Sequence, residues 1–384
     1  MATLGRRIDV TLAARLDPIL DNALAETRIV GAVALVARQG KLAYARAAGH
    51  ANRETGRAMT LDAIFRASSL TKPIVTAAAL SLVESEVIGL DDPVIRWLPD
   101  FQPAFEGQVP TITLRHLLTH TAGLSYGFMQ PGDGPYLKLG VSDGMDQPGL
   151  AFPEELRRIS DAGLTFPPGA AWLYSVGMDV MGAVMEAATG RTLPEVVAER
   201  VTHKLGMTDT GFSVTDRARL AVAYADGTPP VTMGATHTVP FAELSGIRFA
   251  PDRIFDPGSF PSGGAGMACS APDMLAFLEA IRTGGDPVVS AETAQDMMTN
   301  QTGTHAIVTS GPGWGFGFGG AVMLDPVPTA HHLPAGAWTW AGVYGHSWFV
   351  DPASETTFVL MTNTSTEGMS GLTSRDLAAA VMAG

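Results

Sequence analysis

The stretch "IFRASSLTKPIVTAAAL" places one of the chain's four lysines, Lys72, three residues after Ser69. On a helix, positions i and i+3 share a face, so a serine hydroxyl and a lysine amine at this spacing can meet. Such a pair is a nucleophile with its activating base: the hydroxyl attacks a carbonyl, and an amine held neutral by burial takes the proton. Pro73 has no backbone N–H and is tolerated near a helix start, so the helix is predicted to begin near Ser69. The hydroxyl then lies at the positive end of the helix dipole, where a developing oxyanion is favoured. From Ile74 to Val87 the spacing stays helical, with Val75, Ala79, Leu82 and Val83 along one stripe. A serine N-cap followed by an exposed lysine has the same local pattern, and these residues alone leave both readings open.

Other groups compete for a chemical role. Gly123-Leu124-Ser125-Tyr126-Gly127 matches G-x-S-x-G, a nucleophile elbow that needs a strand entering the serine and a helix leaving it. Here "TLRHLLTHTAG" reads as a helix before it and "FMQPGDGPY" as a loop after it, so the motif is read as a glycine-rich turn. His116 and His120 lie at i, i+4 on that helix, a spacing zinc ligands use. No Glu follows His116 and no third ligand is evident, so both are read as structural. His331-His332 sits in a loop among prolines and glycines and indicates no role. His346, in "GVYGHSWF", stands among aromatics. Tyr174 falls at a loop-to-helix junction in "FPPGAAWLYSVGMDVMG"; its phenol can relay protons beside a cation, or its ring can simply pack. Trp314, Trp338, Trp340 and Trp348 alternate with glycines in "GPGWGFGFGG" and "WTWAGVYGHSW". Their rings supply apolar walls for an acyl chain or aromatic ester, for a carbohydrate, or for the core.

The elements that must position these residues follow from the apolar pattern. Helical spacing over residues 9–27 (Val10, Leu12, Leu16, Leu20, Leu24) predicts a surface helix. "IVGAVALVARQGKLAYARAAGH" reads as a β-hairpin about Gln39-Gly40, and "VYGHSWFVD" with "TTFVLMTN" as adjacent antiparallel strands before a closing helix, "GLTSRDLAAAVMAG". Between these ends lie mainly helical segments broken by Gly/Pro-rich loops. The two ends are therefore predicted to share one sheet, with a cleft between sheet and helices as the place for a site. With 46% hydrophobic and 16% charged residues, the 384-residue chain can bury a large core. Its formal charge of −13 and lack of a basic cluster argue against a nucleic-acid partner. No run of 18 apolar residues predicts a membrane span, and the N-terminal stretch does not read as a secretory signal. The single cysteine, Cys269, cannot form an internal disulfide and has no nearby histidine; it reads as a buried thiol in a cytoplasmic protein.

Taken together, the motifs resemble the serine β-lactamase and penicillin-binding-protein superfamily, and within it the class C β-lactamase-like family VIII carboxylesterases. The resemblance runs through "FRASSLTKPIVTAAAL", "LDDPVIRWLPDF", "TLRHLLTHTAGLSYG", "FPPGAAWLYSVGMDVMG", "FPSGGAGM", "GPGWGFGFG" and "WAGVYGHSWFVD", across nearly the whole chain. It implies an α/β (α+β), β-lactamase-like fold: an antiparallel sheet flanked by helices, plus a mainly helical lobe, with the site in the cleft between them. One catalytic unit is expected over 1–384, with 1–66 and 300–384 in the sheet lobe and 67–299 in the helical lobe.

By that resemblance Ser69 is the nucleophile, Lys72 its activating partner and Tyr174 the tyrosine of the second motif; the base is either neutral Lys72 or a tyrosinate at Tyr174 stabilised by charged Lys72, and the sequence leaves both open. Backbone N–H groups of Ser69 and Val343 form the oxyanion hole. Substrate contact is assigned to Trp340, Gly342, Tyr126, Trp314 and His346, and no metal or organic cofactor is implied. The chain departs from the lactamase motifs in two places. Val176 stands where they carry Asn, and Trp340 where they carry the Lys that, with a Thr, recognises a substrate carboxylate. The implied activity is hydrolysis of short-to-medium, neutral, small-molecule esters through an acyl-enzyme. Acyl transfer to an alcohol or amine, lactam or amide hydrolysis, and non-catalytic binding are the alternatives.

Overall fold

In a computed structural model that describes residues 9–214, 216–329 and 332–383, the apolar stretches at the two ends of the chain build one sheet. The first eight residues and His331 lie outside the described residues. Helix α1 (Val10–Ala25) starts at Asp9, whose carboxylate accepts the N–H groups of Thr11 and Leu12, and it buries Leu12, Leu16, Leu20 and Ala23. Strands β1 (Gly31–Arg38) and β2 (Lys41–Asn52) follow as the expected hairpin. Gln39 and Gly40 turn it with φ of 51° and 71°, a doubly left-handed turn whose twist matches that of the strands. After strand β3 (Arg57–Ala58) the chain leaves the sheet. A single 3-10 turn, Ser68–Leu70, leads into helix α2 (Thr71–Glu84), and helices α3 (Gly177–Thr189) and α4 (Ala271–Arg282) follow. The chain returns as β4 (Trp314–Phe316), β5 (Ala321–Met323), β6 (Trp338–Gly342), β7 (His346–Asp351) and β8 (Thr356–Thr362), then closes with helix α5 (Leu372–Met382).

The sheet order is β4-β5-β6-β7-β8-β1-β2-β3. Antiparallel pairing from Ala32↔Thr362 to Arg38↔Thr356 joins the first strand to the last. Both faces are covered. Ser374 of α5 meets Ser347 of β7 at 2.9 Å, while Thr357 of β8 meets Glu279 of α4, and the two-residue period places these contacts on opposite faces. Burial on both sides explains why "GAVALVA" and "TTFVLMT" carry almost no alternation.

Two expectations are corrected here. Helix α2 is buried from Thr71 through Leu82 on every side, not along one stripe, because it runs through the middle of the helical region. The helix that carries His116 ends at Leu118, so His120 is not on it; His120 has φ 57° and its ring is turned into the core. The middle of the chain also contains small sheets that periodicity missed, such as Ile64–Arg66 with Ala268–Ser270 and His237–Val239 with Ile247–Phe249. Three-residue strands are too short to show a period.

The helical region buries carboxyl groups, and one of them yields a stability prediction. Both carboxyl oxygens of Glu155 lie 3.1 Å from the N–H of Ser142. Burial pushes the Glu155 pKa up to about 9; the Ser142 N–H opposes this, and the charges of Asp179, Asp146 and Asp143 add to it. The unfolded chain releases this proton near 4.5, whereas the folded protein keeps it to about 9. Stability should therefore fall as pH rises between those values and be level outside them. Glu155→Gln is expected to melt above the wild type by a margin that widens by a few degrees from pH 5 to pH 9. Calorimetry showing a constant margin would mean that Glu155 ionises as freely in the folded protein as in the unfolded one.

Candidate active site

Ser69 lies in the 3-10 turn just before α2, and this turn rests against β6. The contact depends on Gly342: a Cβ there would stand 2.5 Å from Ser68 Oγ and 2.8 Å from the Ala67 carbonyl. Gly342 therefore serves close packing of strand on turn, and it is not on the cavity wall. Lys72 follows one helical turn later with its side chain 1% exposed. Its Nζ lies 3.3 Å from Ser69 Oγ, 2.9 Å from Tyr126 Oη and 2.8 Å from the Gly264 carbonyl. Tyr174, brought in by the loop before α3, donates to Ser69 Oγ at 2.6 Å and accepts from Trp340 Nε1 at 3.3 Å. Segments around Ser69, Tyr174 and Trp340, far apart in sequence, thus meet at the Tyr174 hydroxyl.

The electrostatics distinguish the two possible bases. Burial lowers the Lys72 pKa to about 7, with Asp179 and Asp143 opposing it. Burial raises the Tyr174 phenol above its ordinary value, against its hydrogen bonds with Ser69 and Trp340. At neutral pH the amine can be neutral while the phenol keeps its proton. The lysine Nζ also sits over the Tyr174 ring, 4.5 Å from its centroid, a contact that favours the ammonium form. His120 packs edge-on against Tyr174 with ring centroids 5.0 Å apart. Burial, with help from Lys72, holds its pKa well below the usual value.

A cavity of about 620 Å³ opens at Ser69 and Tyr174. Its walls include Trp314, Trp340, Phe128, Met129, Phe241 and Leu333, and Val343 lies on the wall with Ser69. Among the described residues no carboxylate lines it, and Arg375 of α5 and His332 are on its wall. Trp314, Trp340 and Trp348 are thus at the cavity, while Trp338 is buried behind it against Trp348, with ring centroids 4.5 Å apart.

Besides Gly342, two further assignments to substrate contact are corrected. Tyr126 is buried and off the cavity wall, and its hydroxyl is spent on Lys72. His346 is also buried: its Nε2 lies 2.8 Å from the Arg66 carbonyl, and burial lowers its pKa to about 4. On β7 the cavity is lined by Ser347, Trp348 and Phe349, and His346 is not on its wall. Phe128, Met129 and Phe241 were not anticipated; they come from loops, where an isolated apolar residue has no periodic signal. Ser125 is buried in a loop, its Oγ on the Tyr126 carbonyl at 3.1 Å, away from any strand-to-helix elbow. Val176, at the position of the lactamase Asn, has an apolar side chain and begins α3. Among the described residues no group of three or more His, Cys, Asp or Glu side chains is placed to hold a metal ion, and no helix is long and apolar enough to cross a membrane.

The antiparallel sheet, the helical region and the serine–lysine–tyrosine convergence are those of a β-lactamase-like protein. The chain belongs to the beta-lactamase family, whose sequence model matches residues 16–383. It is 49% identical over 365 residues to esterase EstB of Burkholderia gladioli, covering 94% of this chain and 93% of that protein. It is 26% identical over 372 residues to lovastatin esterase of Penicillium rubens, covering 88% and 89%. The solved structure of EstCE1, a hydrolase with promiscuous acyltransferase activity, superimposes with a TM-score of 0.94 at 44% identity, covering 97% of this chain and 99% of that one.

Proposed function

We propose that the protein is a serine carboxylesterase that hydrolyses short-to-medium, neutral, small-molecule esters through an acyl-enzyme on Ser69. The observation that carries this reading is the Ser69 hydroxyl, 2.6 Å from Tyr174 and 3.3 Å from Lys72, at the mouth of an aromatic cavity. Neutral Lys72 takes the Ser69 proton as Oγ attacks the ester carbonyl. The oxyanion is received by the backbone N–H groups of Ser69 and Val343. Tyr174, still protonated, passes its proton to the departing alkoxide and is reprotonated from Lys72. Water then attacks the acyl-enzyme by the reverse relay, releasing the acid and restoring Ser69. Similarity to EstB and EstCE1 supports this chemistry.

The same reading treats the chain as one catalytic unit, with 1–66 and 300–384 supplying the sheet and 67–299 the mainly helical part. It also places the enzyme in the cytoplasm, a setting supported by its single, buried cysteine.

Trp340 supplies the test of substrate class. An indole stands where the lactamase motif has lysine, so a β-lactam's carboxylate would be desolvated beside the nucleophile without a partner there. A neutral ester instead gains about 0.8 kcal/mol per methylene buried, until the cavity is full. Specificity constants for p-nitrophenyl esters should rise over the first few carbons and then fall. The wild type should favour p-nitrophenyl butyrate over a chromogenic cephalosporin by about a thousandfold or more. Trp340→Lys should shrink that ratio at least tenfold. Comparable turnover of the two by the wild type, or an unchanged ratio in the variant, would overturn the assignment.

A further inference from the structure

We propose that Asp179 is a positioning residue for Lys72: it locks the Ser262–Gly264 turn so that the Gly264 carbonyl holds the lysine amine, and, ahead of Asp143, it supplies the negative charge set against this amine. The inference rests on the reading of Lys72 as the base for Ser69. Lys72 makes three hydrogen bonds, none of them to a carboxylate. One of its three partners, the Gly264 carbonyl, belongs to a turn that would be free to shift without an anchor. Asp179 is that anchor.

Asp179 lies fully buried in the first turn of α3, where the helix dipole favours a negative charge. Its Oδ1 accepts the Ser262 hydroxyl at 2.6 Å and the Gly264 N–H at 3.0 Å. The Ser262 hydroxyl in turn accepts the Ala265 N–H at 2.9 Å, closing the turn on the carboxylate. Oδ2 is buried without a hydrogen-bond partner among the described residues. The fit also requires Gly264. A Cβ there would stand 2.7 Å from Tyr126 Oη and 3.4 Å from both Asp179 oxygens, so lysine, tyrosine, turn and carboxylate are packed as one body.

The charge matters as well as the hydrogen bonds. The ionisable groups around Lys72 are Tyr126, Tyr174, His120, Asp143 and Asp179, with Arg253 and Glu155 beyond the carboxylates. Burial pushes the amine towards its neutral form, and the two aspartates, Asp179 first, pull it back. Asp179→Asn keeps the side-chain shape and one acceptor oxygen while removing the charge. Lys72 should then lose its proton at lower pH.

The chain's four lysines make this directly readable. With lysine labelled by ¹³C at Cε, the Lys72 resonance is identified by its loss in Lys72→Met. In Asp179→Asn its titration midpoint and the acid limb of kcat/KM for p-nitrophenyl butyrate are expected to move together to lower pH, by about one unit. A midpoint and limb that stay at the wild-type pH, whatever the loss of rate or melting temperature, would make Asp179 structural only. Should Asp179→Asn fail to fold, Ser262→Ala tests the anchor: kcat is expected to fall about tenfold with KM held, and an unchanged kcat overturns the proposal. Fluorophosphonate labelling of the wild type separates the two layers. Failure to label Ser69 sinks the esterase reading itself, whereas an unmoved midpoint in a protein that labels normally sinks only the role of Asp179.

Discussion

Ser69→Ala is expected to lower kcat for p-nitrophenyl butyrate by about five orders of magnitude or more, in a protein that melts close to the wild-type temperature. The loss is this large because the covalent route disappears, leaving only binding and the oxyanion site. Stability should hold because the serine is at the cavity mouth and, among the described residues, its hydroxyl is partner to Tyr174 and Lys72 alone. Ser125→Ala is the matched control. Among the described residues its hydroxyl bonds only to the neighbouring Tyr126 carbonyl, and most activity should survive its removal. Mass spectrometry after fluorophosphonate treatment decides between them, since an adduct on Ser125 would reverse the assignment.

The second large effect is expected from Lys72 and Tyr174 as a unit. Lys72→Met and Tyr174→Phe should each cost about three to four orders of magnitude in kcat/KM, and the double variant little more than either alone. Each residue is useless without the other: the lysine accepts the proton of Ser69 and the tyrosine carries one to the leaving group. Additive losses would show that they act separately. Lys72→Met is preferable to alanine because it fills the space of the stem, although it still leaves Tyr126 and the Gly264 carbonyl without a partner, so each variant's melting curve belongs with its kinetics. The pH dependence has a definite sign. Below pH about 7 Lys72 is charged and cannot accept a proton, so wild-type kcat/KM should fall on the acid side with a midpoint near 7. In Lys72→Met that limb should vanish.

How much of this was legible in the chain varies residue by residue. Ser69 and Lys72 are three apart on one helix start, so backbone geometry makes their meeting a local matter. Tyr174 lies 105 residues from Ser69 and was reached only through the resemblance of its motif, for no local rule brings a phenol to a distant hydroxyl. The two-ended sheet was visible because burial on both faces writes long apolar runs into β1 and β8. His346 shows the limit. Its aromatic neighbours suggested a site, and Trp348 does line the cavity, yet His346 itself is buried with its Nε2 on the Arg66 carbonyl.

The sequence by itself determined which chemistry was possible: a serine and a lysine in register on one helix, glycines where strands must approach closely, and an indole in place of a cation at Trp340. It also determined the framework, since hydrophobic periodicity and turn chemistry are local properties of the chain. Only the tertiary structure decided which of these groups face one another and what their surroundings do to them. Burial, a property of the whole packed molecule, makes the Lys72 amine neutral near pH 7 and keeps the Tyr174 phenol protonated. Packing likewise turned Tyr126 from the substrate to the lysine, brought Phe128, Met129 and Phe241 out of loops to the cavity wall, and set Asp179 under the Gly264 turn. Contacts of this kind depend on side chains more than fifty residues apart, and no local pattern in the chain encodes them.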